Sequence, residues 1–187
     1  MQNAINDSKM TEAEVSLRVA IYSIYQKLIC NSVSVSLDGA QIKTAETIHF
    51  DILGFLNNIK AEKINGKSGK WQGTYRLPDT DCTIEIHSQP GVGDVAAKMV
   101  DGSLLVVESK KGALSKSKAG TEYQLIREAI GQLMTNSIIN ENKKLAVAIP
   151  HNEKSLELAK RWSEFPQIKQ VGIKFFLVNR SDGLVVI

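Results

Sequence analysis

The stretch Leu104-Leu105-Val106-Val107-Glu108-Ser109-Lys110 constrains this chain more than any other. Four consecutive apolar residues predict a strand buried on both faces. Asp101-Gly102-Ser103 stands just before it, and an Asp-Gly pair between two apolar runs predicts a hairpin. Its partner strand is Val92 to Val100. Side chains alternate along a strand, so Glu108 and Lys110 emerge on one face. The hairpin folds Asp94 back toward Glu108, and two acids and a lysine then meet at one spot on the sheet. An acid at the edge of a buried strand needs a partner or a metal. Two converging carboxylates repel each other unless a cation sits between them, and Mg²⁺ takes oxygens from one or two carboxylates while keeping waters. The alternative is ordinary strand-end charge meeting water, with Glu108 and Lys110 as a surface ion pair worth little.

The elements around this hairpin follow from periodicity. Thr11-Glu12-Ala13-Glu14 has capping-box spacing, and Val15, Ile21, Ile24 and Leu28 continue a helix over about 11–29. Val33, Val35 and Leu37 alternate as a short strand. Ile48, Ile52, Phe55 and Ile59 predict a second helix from Thr44 to Lys60, followed by a loop from Lys63 to Lys70. Trp71 to Leu77 and Thr83 to His87 are strands. Thr121 to Ile139 is helical, Leu145 to Ile149 is a strand stopped by Pro150, and Ser155 to Glu164 is a helix closed by Pro166. Ile173 to Val178 and Leu184 to Ile187 form strands around Ser181-Asp182-Gly183. Helices, an antiparallel run, then helix, strand, helix and hairpin suit an α/β protein with a central mixed sheet flanked by helices on both sides.

Asp94, thirteen intervening residues, then Glu108-x-Lys110 resembles the PD-(D/E)xK nuclease superfamily, the restriction-endonuclease-like fold. The similarity in element order runs from about residue 42 to residue 150, with the helix at 11–29 and the helix and hairpin at 152–187 as additions to a single domain of 1–187. Glycine, not proline, precedes Asp94, and the literal Pro78-Asp79 ranks below it. The resemblance implies a Mg²⁺-dependent DNA endonuclease, with Mn²⁺ as a substitute ion. Asp94, Glu108 and the backbone carbonyl of Ser109 would hold the metal, and Lys110 would act on the attacking water. The family often adds a helical glutamate. Glu46 is the first choice and Glu14, near Leu17, Ile21 and Leu28 on the helical wheel, is the alternative. Some members use a glutamine on the following helix, the place of Gln124, and Arg127 lies one turn further on. Small members often act as homodimers.

Charge distribution bears on the same reading. The 23 Lys and Arg against 20 Asp and Glu give a net charge of only +3, too mild to announce nucleic-acid binding alone. Between Lys110 and Lys118, however, four lysines occur without an acid, and Lys111, Lys116 and Lys118 are candidates to track a DNA backbone. Hydrophobic residues at 43% and charged residues at 23% fit a globular chain. No apolar run reaches membrane-spanning length, the N-terminus lacks signal-peptide character, and Cys30 and Cys82 are expected as reduced buried thiols. A cytoplasmic location is the resulting expectation. The competing functions are a non-catalytic nucleic-acid-binding or assembly protein on the same fold, and an α/β protein whose acids are structural.

Overall fold

In the computed structural model, which describes residues 8–91, 93–115, 119–136, 142–181 and 183–187, the 104–110 stretch lies near the middle of a nine-stranded mixed sheet. The chain runs β1 (Lys9–Met10), α1 (Glu12–Tyr25), β2 (Ile29–Ser36), α2 (Gly39–Ile42), β3 (Lys43–Thr44), β4 (Thr47–Ile48) and α3 (Ile52–Asn58). It continues through β5 (Glu62–Asn65), β6 (Gly73–Arg76), β7 (Thr83–His87), β8 (Val95–Met99), β9 (Leu104–Ser109) and β10 (Gly112–Ala113). The last elements are α4 (Ala119–Asn136), β11 (Lys143–Pro150), α5 (Glu153–Ser163), α6 (Pro166–Val171), β12 (Lys174–Val178) and β13 (Leu184–Val186). The sheet order is β13-β12-β11-β9-β8-β2-β7-β6-β5. Strands β9, β11 and β12 run parallel, and β8 turns back antiparallel between β9 and β2.

Helices cover both faces. One core gathers Val15, Val19 and Ala20 of α1 and Leu56 of α3 over Val35, Val95 and Val107. The other gathers Ile126, Ala129 and Leu133 of α4 with Leu158 and Ile168 over Val106, Val147 and Phe175. Alternation along β9 therefore sends Val107 to the α1 side and Val106 to the α4 side. The C-terminal strands expected as additions join this same sheet. So does β2, an eight-residue strand where only a short one was expected.

The helix predicted from Thr44 to Lys60 is the main correction. Thr44 and Thr47 pair instead across a two-residue turn whose Ala45 has φ +50°, a left-handed backbone that an α-helix does not contain. The helix begins only after Asp51, whose carboxylate accepts the Gly54 N–H at 2.9 Å. That N-cap restarts the chain, and Ile48 stays exposed. Lys63 lies in strand β5 rather than in a loop. Cys30 is exposed and Cys82 half-buried, both free, so neither is the buried thiol expected. Val92, Ile139 and Asp182 of the predicted elements lie outside the described residues. Among the described residues no helix is long and apolar enough to cross a membrane.

Candidate active site

The hairpin forms as its turn chemistry dictates. Gly102 has φ +85°, a backbone that favours glycine, and the Asp101 carboxylate accepts the Ser103 N–H at 3.1 Å. Val95 then faces Val107 and Ala96 faces Val106. Carrying that register one pair further sets Asp94 opposite Glu108. The glycine before Asp94 has a steric cause: a Cβ on Gly93 would lie 2.8 Å from the Val106 side chain and 3.0 Å from the Val107 carbonyl. Neither proline nor any other side chain fits that approach.

The two carboxyls share one environment. Glu108 is 4% exposed, and Asp94 Oδ2 accepts the Ser109 N–H at 2.8 Å. Burial pushes Asp94 up to about 6, helped by the charge of Glu12 and opposed by the Ser109 N–H and Lys110. Burial and the charge of Asp94 push Glu108 up to about 7, with Lys110 opposing. The two carboxyls are therefore both raised and titrate as a pair.

Lys110 is buried, and its Nζ lies 3.3 Å from Glu128 Oε1 on α4 and 3.8 Å from Glu12 Oε1 on α1. The approach of Glu12 has a plain structural origin. Lys9 and Met10 pair with Ala113 and Gly112 in a two-stranded ribbon, which clamps the start of α1 beside the end of β9. Gln41 Nε2 donates to the same Glu12 oxygen at 2.9 Å. Glu12 sits one turn before Ser16 and two before Val19, both buried, so its stripe on α1 turns inward.

Neither sequence candidate for the helical acid occupies this place. Glu14 is buried, but its carboxylate accepts Arg18 Nε at 3.0 Å and Arg180 Nε and Nη2 at 2.8 and 2.9 Å. Glu46 is exposed in the β3–β4 turn, off any helix. Glu12, which the sequence offered only as part of a capping box, is the α1 acid that reaches Lys110. No protein-family model, curated protein or solved structure matches the chain. The site is therefore read from its own chemistry.

Gln124 is exposed on α4, one turn before Glu128. Arg127 lies on the other flank, its guanidinium 5.7 Å from the Tyr123 ring centroid. Lys111 is exposed directly after Lys110, while Lys116 and Lys118 lie outside the described residues. Pro78-Asp79 falls between β6 and β7, with Asp79 at φ +58°.

A divalent cation is the group the nuclease resemblance implies. Among the described residues no group of three or more His, Cys, Asp or Glu side chains is arranged to hold one. The facing pair Asp94 and Glu108 nevertheless suits Mg²⁺, which binds through one or two carboxylates and retains waters. Burial raises both carboxyls, and a bound cation would favour their ionised forms.

Proposed function

We propose that the chain is a Mg²⁺-dependent DNA endonuclease of the restriction-endonuclease-like fold, hydrolysing phosphodiester bonds. The observation that carries the reading is the Asp94–Glu108 pair, facing across a hairpin in the middle of the sheet, with a buried lysine beside it. An enclosed surplus of acid costs stability unless it serves a cation. Asp94 and Glu108 would hold Mg²⁺, with the Ser109 carbonyl as a further oxygen donor and Glu12 beside them. The ion, when bound, supplies charge against the scissile phosphate and acidifies a coordinated water. Lys110 orients that water and offsets the charge that grows on the phosphate oxygens. Lys111 and the lysines after it meet the strand backbone, and each duplex phosphate neutralised adds about 0.9 to the salt slope of binding. A homodimer would supply the second cut in the opposite strand.

The test is incubation with supercoiled plasmid, linear duplex and branched DNA, with Mg²⁺ or EDTA. Metal-dependent cleavage lost in Asp94→Asn, Glu108→Gln and Lys110→Met supports the assignment, and full activity in any one of them removes that residue from it. The second reading is a non-catalytic nucleic-acid-binding protein, in which the exposed Lys111 meets a phosphate backbone and the acid pair is structural. It predicts DNA binding unaffected by Mn²⁺ and no heat of Mn²⁺ binding.

A further inference from the structure

The geometry points to Glu128 as the positioning residue of Lys110: an α4 carboxylate that fixes the ammonium beside the acid pair. This inference rests on the nuclease reading of the site. Lysine is a compact charge on a flexible four-carbon stem, and nothing in β9 itself dictates where its Nζ comes to rest. Among the described residues two carboxylates reach it, Glu128 at 3.3 Å and Glu12 at 3.8 Å.

The two are not equivalent. The Glu12 oxygen facing Lys110 already accepts Gln41 Nε2, and the charge of Glu12 acts on both Asp94 and Glu108. Glu12 thus belongs with the acid pair, and a cation bound there would compete with Lys110 for it. The side chain of Glu128 is 58% exposed and lies at the outer end of the cluster, where the nearer contact to Lys110 is its own. A carboxylate so exposed contributes little to folding. It can still decide where a buried ammonium points, and a displacement of a catalytic group by about 1 Å can cost on the order of a hundredfold in rate. Without Glu128, Lys110 has only Glu12 and the acid pair to turn to, which draws it inward onto the groups that would hold the metal.

The effect should be confined to catalysis and to Lys110. Glu128→Gln is expected to lower the single-turnover cleavage rate about tenfold at saturating DNA and Mg²⁺. Half-saturating concentrations of DNA and of Mn²⁺ should stay within about twofold of the parent. Glu128→Asp should recover part of the rate. Lys110→Met leaves no rate to compare, so the dependence of Glu128 on Lys110 is read from stability, where a residue acting through another has no effect once the other is gone. A thermal-melting cycle on the metal-free protein reads the same contact without activity. Glu128→Gln should lower the melting temperature by about 2 °C with Lys110 present, and not at all with Met at that position.

Weakened DNA or Mn²⁺ binding by Glu128→Gln would assign Glu128 to DNA or metal and overturn the proposal. So would additive melting shifts. Absence of cleavage by the parent under all conditions removes the nuclease reading and with it any catalytic task for Glu128, whatever the melting cycle shows. Cleavage abolished by Lys110→Met yet untouched by Glu128→Gln removes this inference alone.

Discussion

Glu12 and Glu14 leave the first turn of the same helix, yet they enter buried ionic clusters of opposite kind. Glu14 meets two guanidiniums, Arg18 from one turn along α1 and Arg180 from beyond β12. That cluster carries no surplus of acid and is closed by the protein itself. Glu12 enters a group in which Asp94, Glu108 and Glu128 surround Lys110. Four carboxyls against one ammonium leave a surplus of acid, which the raised Asp94 and Glu108 relieve only partly. The comparison teaches that burial alone does not mark a functional acid. What separates the two sites is whether the surrounding chain supplies the opposite charge or leaves it to be supplied from outside.

The largest expected effect comes from breaking the closed cluster. Glu14→Gln leaves Arg18 and Arg180 facing a neutral group from which they had drawn their hydrogen bonds. Removing one partner of a buried ion pair costs about 3–5 kcal/mol, and the partly exposed guanidiniums place this case near the lower end. Urea unfolding should register the loss directly. Cleavage per folded molecule should stay close to the parent value, and a specific loss of catalysis would mean that the two clusters are coupled.

Glu12→Gln should do the reverse. It removes one acid from an acid-rich group, so melting in the absence of metal should hold or rise. Mg²⁺-dependent cleavage is expected to fall about 10–100-fold with weaker metal binding, the scale on which changes around a metal site act. Calorimetric titration with Mn²⁺ checks the second half. A stability loss as large as that of Glu14→Gln would show that Glu12 is held for folding.

The open cluster also predicts a pH dependence. Asp94 rises from 3.8 to about 6 and Glu108 from 4.5 to about 7. Between about pH 4 and 7 the folded chain therefore carries more protons than the unfolded chain. Stability contributed by the pair is present at the acid end of that window and is lost as pH rises through it, by roughly 1 kcal/mol per pH unit. Denaturant midpoints across the window measure the slope. Glu108→Gln should flatten it, and excess Mg²⁺ should raise stability most at the alkaline end, where no proton must be displaced. Denaturant midpoints that do not change with Glu108→Gln across the window would place the pair in water, where its pKa values match those of the unfolded chain.

What the sequence made legible follows from the range of the interactions involved. The β8–β9 hairpin rests on an apolar run and an Asp-Gly turn within a few residues of each other, and the facing of Asp94 with Glu108 comes from counting along it. Helices α4 and α5 and strands β11 and β12 carry their own periodicity or caps, as in the Asn152 side chain that accepts the Ser155 N–H at 2.8 Å. Glu12 was illegible for the opposite reason. Its place depends on a ribbon of two residues against two, too short to have a period and joining segments far apart in the chain. Ile48, Ile52, Phe55 and Ile59 show the converse failure. Their spacing is helical, yet the positive φ of Ala45 and the Asp51 cap override the first third of it. Glu46, assigned to that helix, was carried off with the hairpin.

The smallest expected effect belongs to Glu46 and sharpens the comparison from outside. Its side chain is exposed between Ala45 and Thr47, in a turn whose strands hold two residues each. Substitutions at such surface positions stay within about 0.5 kcal/mol, so Glu46→Gln should melt with the parent. Metal-dependent cleavage should also match the parent, in contrast to Glu12→Gln. If Glu46→Gln instead lowers cleavage as far as Glu12→Gln, the β3–β4 hairpin reaches the acid pair when DNA is bound. The open cluster then gains its last acid from a surface turn, and the enclosed geometry around Glu12 describes only the free protein.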